Sequence, residues 1–278
     1  MTRSVLLPTG EAVPALGQGT WTMGERAGER TAEIASLRLG IELGLTLIDT
    51  AEMYAEGGAE EVVGEAVQGL RDRAFLVSKV YPHNASRSGV VEACHGSLRR
   101  LRTDRLDLYL LHWRGAVPIE ETVAGFEELR RAGQIRHWGM SNCDTLGLQE
   151  LFALLEGRNC ATNPILYNVT RRGPEFDLLP WMAERTMPVM AYSPVEQGRL
   201  PRSGALSRIA AERGVSAFQI ALAWLLRRPN VLAIPKASKE AHVRENRRAL
   251  DLELSEEELR LIDRDFPPPT RKRALETL

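Results

Sequence analysis

Four side chains in the first half of the chain have the types and spacing to move a proton: Asp49, Tyr54, Lys79 and His112. Asp49 ends an aliphatic run that begins at Thr46 (TLIDT), Lys79 ends AFLVSK from Ala74, and His112 nearly ends LDLYLLHW from Leu106. Tyr54 follows Asp49 by five residues, in the next loop. A tyrosine phenol ionises near ~10, too high for efficient donation at neutral pH, and a neighbouring ammonium favours the phenolate and lowers that value. Lys79 is such an ammonium, Asp49 is a carboxylate that keeps it charged and fixed, and His112 is a hydrogen-bonding group for a substrate oxygen. Tyr54 then reads as a general acid toward a carbonyl that becomes an alcohol. Taken singly each has a plainer role: a solvated cap for Lys79, a turn residue for Asp49, a bonded core histidine beside Trp113 for His112. Their convergence favours chemistry, because titratable groups gathered in one mouth are costly to bury without a task.

A carbonyl protonated in this way must also receive hydride, which no side chain supplies, so a cofactor is implied. No Gly-x-Gly-x-x-Gly opens a helix after a strand: Gly17, Gln18 and Gly19 break that register, and a Rossmann domain is not expected. The cofactor is placed across the mouth instead. Tyr192 would stack on a nicotinamide, Ser141 and Asn142 would bond its carboxamide, and Lys236 with the helix start near Ser238 would hold a phosphate.

These residues need a scaffold that brings strand ends together. Aliphatic and β-branched runs start near Thr46, Ala74, Leu106, Ile135, Thr162, Pro188 and Val231, at a spacing of about thirty residues, with helical patterns between them. The clearest pattern is Ile34, Leu37, Ile41, ending at Gly44; others cover 86–101, 117–131, 144–155, 175–185 and the stretch from Ala217 to Trp224. Apolar strands alternating with amphipathic helices predict an α/β fold with a parallel sheet buried on both faces. An eighth strand at Ala15 to Gly19 completes a (β/α)8 TIM barrel. Before it, Ser4 to Leu7 and Glu11 to Pro14 flank Pro8, Thr9 and Gly10 as an N-terminal β-hairpin. A long loop at 195–204 with an extra helical turn fills the widest strand spacing. Two extra C-terminal helices follow, over 238–250 and from Ser255, where Ser255 and Glu258 form a capping box. The tail FPPPTRKRALETL is expected to cross the surface or fray. No Gly/Ser/Pro-rich linker divides the chain, so residues 1–278 are expected to form a single domain.

Composition narrows the partners. Lys and Arg number 36 against 37 Asp and Glu in 278 residues, a net charge of -1 that gives no footprint for nucleic acid or an anionic membrane. No apolar stretch is long enough to span a bilayer and Met1 to Gly10 lacks a signal-peptide core, so a cytoplasmic, monomeric enzyme of small molecules is the expectation. Cys94, Cys143 and Cys160, without CxxC spacing, read as reduced structural thiols, and no metal is expected.

With these residues in view, the chain resembles the aldo-keto reductase family over nearly its whole length. The resemblance rests on LGQGTW (16–21), LIDTAEMYAEGGAEEVVGEAV (47–67), VSKV (77–80), LDLYLLHW (106–113), GMSNC (139–143), AYSPVEQGRL (191–200) and IPKASKEAHVREN (234–246). It implies reduction of aldehydes and ketones with NADPH, or NADH, and without a Rossmann fold. It places Asp49, Tyr54, Lys79 and His112 on the catalytic tetrad, with Tyr54 the proton donor. It further implies cofactor contacts from Gly19, Thr20, Trp21, Asp49, Ser141, Asn142, Asn163, Tyr192, Ser193, Pro194, Lys236, Ser238, His242, Glu245 and Asn246. The implied substrate pocket is Trp21, Tyr54, Tyr81, His112 and Trp113. Three positions depart from the family's usual pattern: Pro164 stands where a carboxamide-binding Gln is common, Ala237 where a Ser follows the phosphate-binding Lys, and His242 where an Arg often meets the adenosine 2′-phosphate. A neutral histidine is a weaker anion partner than a bidentate arginine, so the NADPH preference is expected to be modest. Only Arg114 to Val117 separate Trp113 from the next helical pattern, which predicts an open pocket for small aldehydes, methylglyoxal-like dicarbonyls and aromatic aldehydes first. The competing readings are a barrel lyase forming a Schiff base on Lys79 and a cofactor-sensing binding protein.

Overall fold

Strand runs and helical stripes alternate along the chain as their hydrophobic periods require, and the computed structural model, which describes residues 3–278, shows how they assemble. The hairpin pairs β1 (Ser4–Leu6) antiparallel to β2 (Ala12–Pro14), with Gly10 at φ 85 in its turn, a conformation a side chain would strain. Five parallel strands follow in order: β3 (Gln18–Gly19), β4 (Leu47–Asp49), β5 (Phe75–Val80), β6 (Leu106–Leu111) and β7 (Ile135–Met140). Three more, β8 (Asn163–Leu166), β9 (Val189–Tyr192) and β10 (Val231–Ala233), form a second parallel set. All six residues of β5 and of β6 are buried, as strands covered on both faces must be.

Backbone bonds join the two sets at both edges and close the ring of eight. Gly17 N donates to Ala233 O at 2.9 Å and Gly19 N to Pro235 O at 3.1 Å on one seam. On the other, Ala161 N donates to Trp138 O and Asn142 N to Pro164 O, both at 2.8 Å. Each seam carries a glycine where the backbones approach most closely. A Cβ on Gly139 would lie 2.4 Å from Thr162 O, and one on Gly19 would lie 2.7 Å from Ile234 O.

The helices follow the stripes. Helix α1 (Arg30–Glu42) buries Leu37 and Ile41 and stops before Gly44 at φ 88. Helix α2 (Gly58–Ala66) was not among the expected helices, although Ala59, Val62, Val63 and Ala66 form its buried stripe. Then come α3 (Arg87–Leu101), α4 (Ile119–Arg131) and α5 (Thr145–Ala153), close to their expected bounds. Helix α6 (Leu178–Ala183) is shorter than 175–185 because Gly173–Glu175 forms a separate 3-10 turn. The long β9 to β10 step holds a full helix, α7 (Ala205–Arg213), where one extra turn was expected, followed by α8 (Ala217–Leu226), whose capping box uses Ser216 and Gln219. The two C-terminal helices are α9 (Glu240–Arg248) and α10 (Glu256–Asp265), the latter with the predicted Ser255–Glu258 box. The tail does not fray. Lys272 Nζ is 3.0 Å from Asp177, and Arg171 pairs with Glu276. Among the described residues no single helix is long and apolar enough to cross a membrane.

Gly139→Ala should cost about 1–3 kcal/mol through overpacking against rigid backbone, while Gly28→Ala, which meets nothing within 4 Å, should stay within about 0.5 kcal/mol. Urea midpoints of the two variants check this, and equal midpoints would refute it.

Candidate active site

The register of three neighbouring strands brings the titratable side chains to one end of the ring. Asp49 pairs with Val77 across β4 and β5, Lys79 with Leu110 across β5 and β6, and His112 follows β6 directly. Tyr54 sits on the turn after β4. Just past it Ala55 (φ 51), Glu56 (φ 54) and Gly57 (φ 92) are successive left-handed residues, so the chain reverses sharply.

Lys79 Nζ is the centre of the group. It donates to Asp49 Oδ2 and to Thr50 O, each at 2.8 Å, and to the Tyr54 hydroxyl at 3.4 Å. Asp49 and Lys79 are each only 3% exposed. The His112 ring stands edge-on to Tyr54, with centroids 5.7 Å apart. All four residues expected to converge therefore do so.

Burial opposes the Lys79 charge, but the Asp49 carboxylate, and after it the Tyr54 oxygen, outweigh that loss and hold the ammonium above its ordinary value. A charged lysine has no lone pair to attack a carbonyl, and the Nζ bonds to Asp49, Thr50 O and Tyr54 hold it in that form, so the arrangement favours proton transfer over a Schiff base. Burial pushes the Asp49 carboxyl up while Lys79 pulls it down. For Tyr54 burial is the largest influence and raises the phenol, against the lowering by Lys79. This corrects the expectation that the ammonium alone would set a lowered value: the phenol's desolvation is the larger effect. Burial, with Lys79 adding to it, drives His112 down to about 3, so its imidazole is neutral. Its Nδ1 is buried and has no partner among the described residues.

A second group lies beside the first. Asn142, left-handed at φ 57, donates from Nδ2 to His112 O at 3.1 Å and to Ser141 Oγ at 3.3 Å, and accepts from the Tyr192 hydroxyl at 2.7 Å. Both amide protons are engaged, but Oδ1 keeps a lone pair that a carboxamide N–H can use. Ser141 Oγ donates to Pro164 O at 3.1 Å. Asn163 is a correction. It is fully buried, accepting from Cys143 N at 3.2 Å and donating to Cys143 O at 2.7 Å, so its amide holds the Asn142 loop and is not presented to a ligand. Thr20 is likewise buried, its N and Oγ1 both 3.0 Å from Asp49 O, tying the ends of β3 and β4. Gly19 serves the seam, and Ser193 and Pro194 follow Tyr192 directly. Lys236 is exposed with Nζ 3.3 Å from Ser238 Oγ, just ahead of α9, which carries exposed His242 and half-buried Glu245 and Asn246. A cation beside a helix start, a tyrosine ring and a free amide lone pair fit a phosphate-bearing nicotinamide cofactor.

Aromatic rings line the open side. Trp21 is 48% exposed and Trp113 37%. Tyr81 stands edge-on to Trp113 at 5.9 Å, and Trp113 lies 4.9 Å from His112. The sequence reading overlooked Glu52, whose carboxylate accepts from Tyr81 N at 2.7 Å and from Asn84 Nδ2 at 3.1 Å and so anchors the Tyr81 wall. Its place between Asp49 and Tyr54 was the available signal.

Comparison with known proteins gives a consistent answer. The aldo/keto reductase family profile matches residues 15–264. Methylglyoxal reductase YeaE of Escherichia coli is 55% identical over 270 residues, 95% of each chain. Glyoxal reductase of Bacillus subtilis is 32% identical, over 94% of this chain and 91% of that protein. Among solved structures, an aldo-keto reductase from Klebsiella pneumoniae in complex with NADPH superposes over 100% of both chains with a TM-score of 0.97 and 52% identity. The thermostable aldo-keto reductase Tm1743 with the inhibitor epalrestat gives a TM-score of 0.88 at 39% identity, covering 94% of this chain and 98% of that one.

The neutral His112 sets a pH dependence. Between its free value of 6.5 and its folded value of about 3 the unfolded state binds more protons, so stability rises with pH through that window and is lost as pH falls through it. The slope approaches about 1.4 kcal/mol per pH unit. His112→Gln should flatten that part of the profile when urea midpoints at about pH 4 and about pH 6 are compared, and an unchanged slope would refute the assignment.

Proposed function

The chain belongs to the aldo/keto reductase family, and on that premise we propose that it reduces small aldehydes to alcohols with NADPH, α-dicarbonyls of the methylglyoxal kind first among them. The observation that carries the mechanism is the single buried ammonium of Lys79 in contact with both Asp49 and the Tyr54 hydroxyl. Bound across the mouth, the reduced nicotinamide supplies the hydride. Tyr54 donates its proton to the carbonyl oxygen, and Lys79 stabilises the phenolate left behind. His112, neutral, offers that oxygen a hydrogen-bonding ring nitrogen in place of a charge. Tyr192 would stack its ring on the nicotinamide, the free lone pair of Asn142 would accept from the carboxamide, and Lys236 with Ser238 would hold a phosphate. The exposed Trp21 and Trp113 leave the carbonyl approach open, which suits small substrates, and the names of the YeaE and Bacillus subtilis relatives support that class. We take residues 1–278 as one barrel domain, supported by one core cluster that runs from Val5 to Ile262.

A panel of carbonyls followed by NADPH absorbance loss tests the proposal; near-zero turnover on every aldehyde overturns it. Tyr54→Phe should lower kcat by about 10²–10⁴ while NADPH affinity stays within about twofold, and retained turnover would remove Tyr54 from its role. His242→Arg should raise the NADPH over NADH ratio of kcat/KM by about tenfold. An unchanged ratio would mean that His242 does not face the ribose.

A further inference from the structure

The segment after β9 is held in an unfavourable shape. Ser193 (φ 46), Glu196 (φ 50) and Gln197 (φ 53) all lie in the left-handed region, which persists only where surroundings over-determine it. The group that does so is the Glu196 carboxylate. Its side chain is 8% exposed, and it accepts from Asn168 Nδ2 at 2.8 Å, from Thr170 Oγ1 at 3.3 Å and from Arg171 Nη2 at 2.8 Å. The opposite edge of the same guanidinium pairs through Nη1 with Glu276, near the end of the C-terminal tail. The tail comes back to this point because Lys272 is pinned to Asp177 and Leu275 packs on the core.

We propose that Arg171 is a positioning residue that couples the C-terminal tail, through Glu276, to the Ser193–Gln197 turn, so that the tail sets how tightly NADPH is held. The proposal rests on the cofactor placement given above. A guanidinium is planar and rigid, so two carboxylates on its two edges fix its plane jointly, and removing one frees it to turn away from the other. The Glu196 side of this bridge is buried. The Glu276 side is not, with side chains 37% and 44% exposed, so the tail's share is modest and screened by salt.

The test is an NADPH titration by fluorescence on the full chain, at low and high salt, for the parent, Glu276→Gln, Glu196→Gln and the double variant. Glu276→Gln should raise Kd about two- to fivefold at low salt, and the difference should shrink at high salt. Glu196→Gln should raise Kd by about tenfold, and adding Glu276→Gln to it should change nothing more, because both act through one guanidinium. Fully additive effects, or a Glu276→Gln Kd equal to that of the parent at low salt, overturn the coupling. If Glu196→Gln does not fold, the salt dependence of Glu276→Gln alone still decides. A tail that merely stabilises the fold would lower the Tm of Glu276→Gln without a salt-dependent Kd change, which also overturns the proposal. A parent that binds no NADPH at all would instead overturn the cofactor placement itself.

Discussion

A buried ammonium is the constraint from which the rest of this structure follows. Lys79 is almost wholly removed from water, and a lone charge there would be lost to neutralisation. Asp49 keeps it, at 2.8 Å, and the carbonyl of Thr50 takes a second proton at the same distance. What remains of the charge is felt by Tyr54 at 3.4 Å and by His112, whose proton it helps to expel. Burial keeps the Tyr54 phenol protonated while the nearby cation stands ready for the phenolate. The proton therefore leaves when a carbonyl oxygen gains negative charge and not before, which is stabilisation aimed at the transition state.

Such a group cannot be assembled on one element. Asp49 and Lys79 come from adjacent parallel strands, His112 from the next, and the β3 end is tied to Asp49 O by Thr20. The closed ring makes this rigid, and it closes only because glycine lets backbones meet at both seams. The Asn142 amide, bonded to the His112 backbone carbonyl and to the Tyr192 hydroxyl, then ties the end of β6 to the proposed cofactor's side.

The repeating scaffold was readable from periodicity, since buried parallel strands must be apolar on both faces and their helices must carry a stripe. The tetrad was readable too, because strand-end Asp49, Lys79 and His112 break that apolar rule. Helix α2 was missed although it carries a legible stripe, Ala59, Val62, Val63 and Ala66, and α6 was overextended because Glu175 belongs to a separate turn at Gly173–Glu175. Asn163 looked like a ligand contact by type, yet its amide goes to Cys143, a partner twenty residues away that only the fold supplies. The direction of the Tyr54 shift was missed for a similar reason: the ammonium is visible in sequence, whereas the desolvation that outweighs it depends on packing. Arg171 and Glu276, 105 residues apart, carry no local signal of their pairing.

Asp49 sustains the charge on Lys79 that Tyr54 needs. The decisive measurement is the single-turnover rate of hydride transfer in Asp49→Asn, followed across pH with saturating NADPH and methylglyoxal. The rate should fall by about 10²-fold or more, with the deficit widening as pH rises, because Lys79 without its carboxylate loses its proton more readily. A rate equal to the parent's at every pH would contradict that role of Asp49.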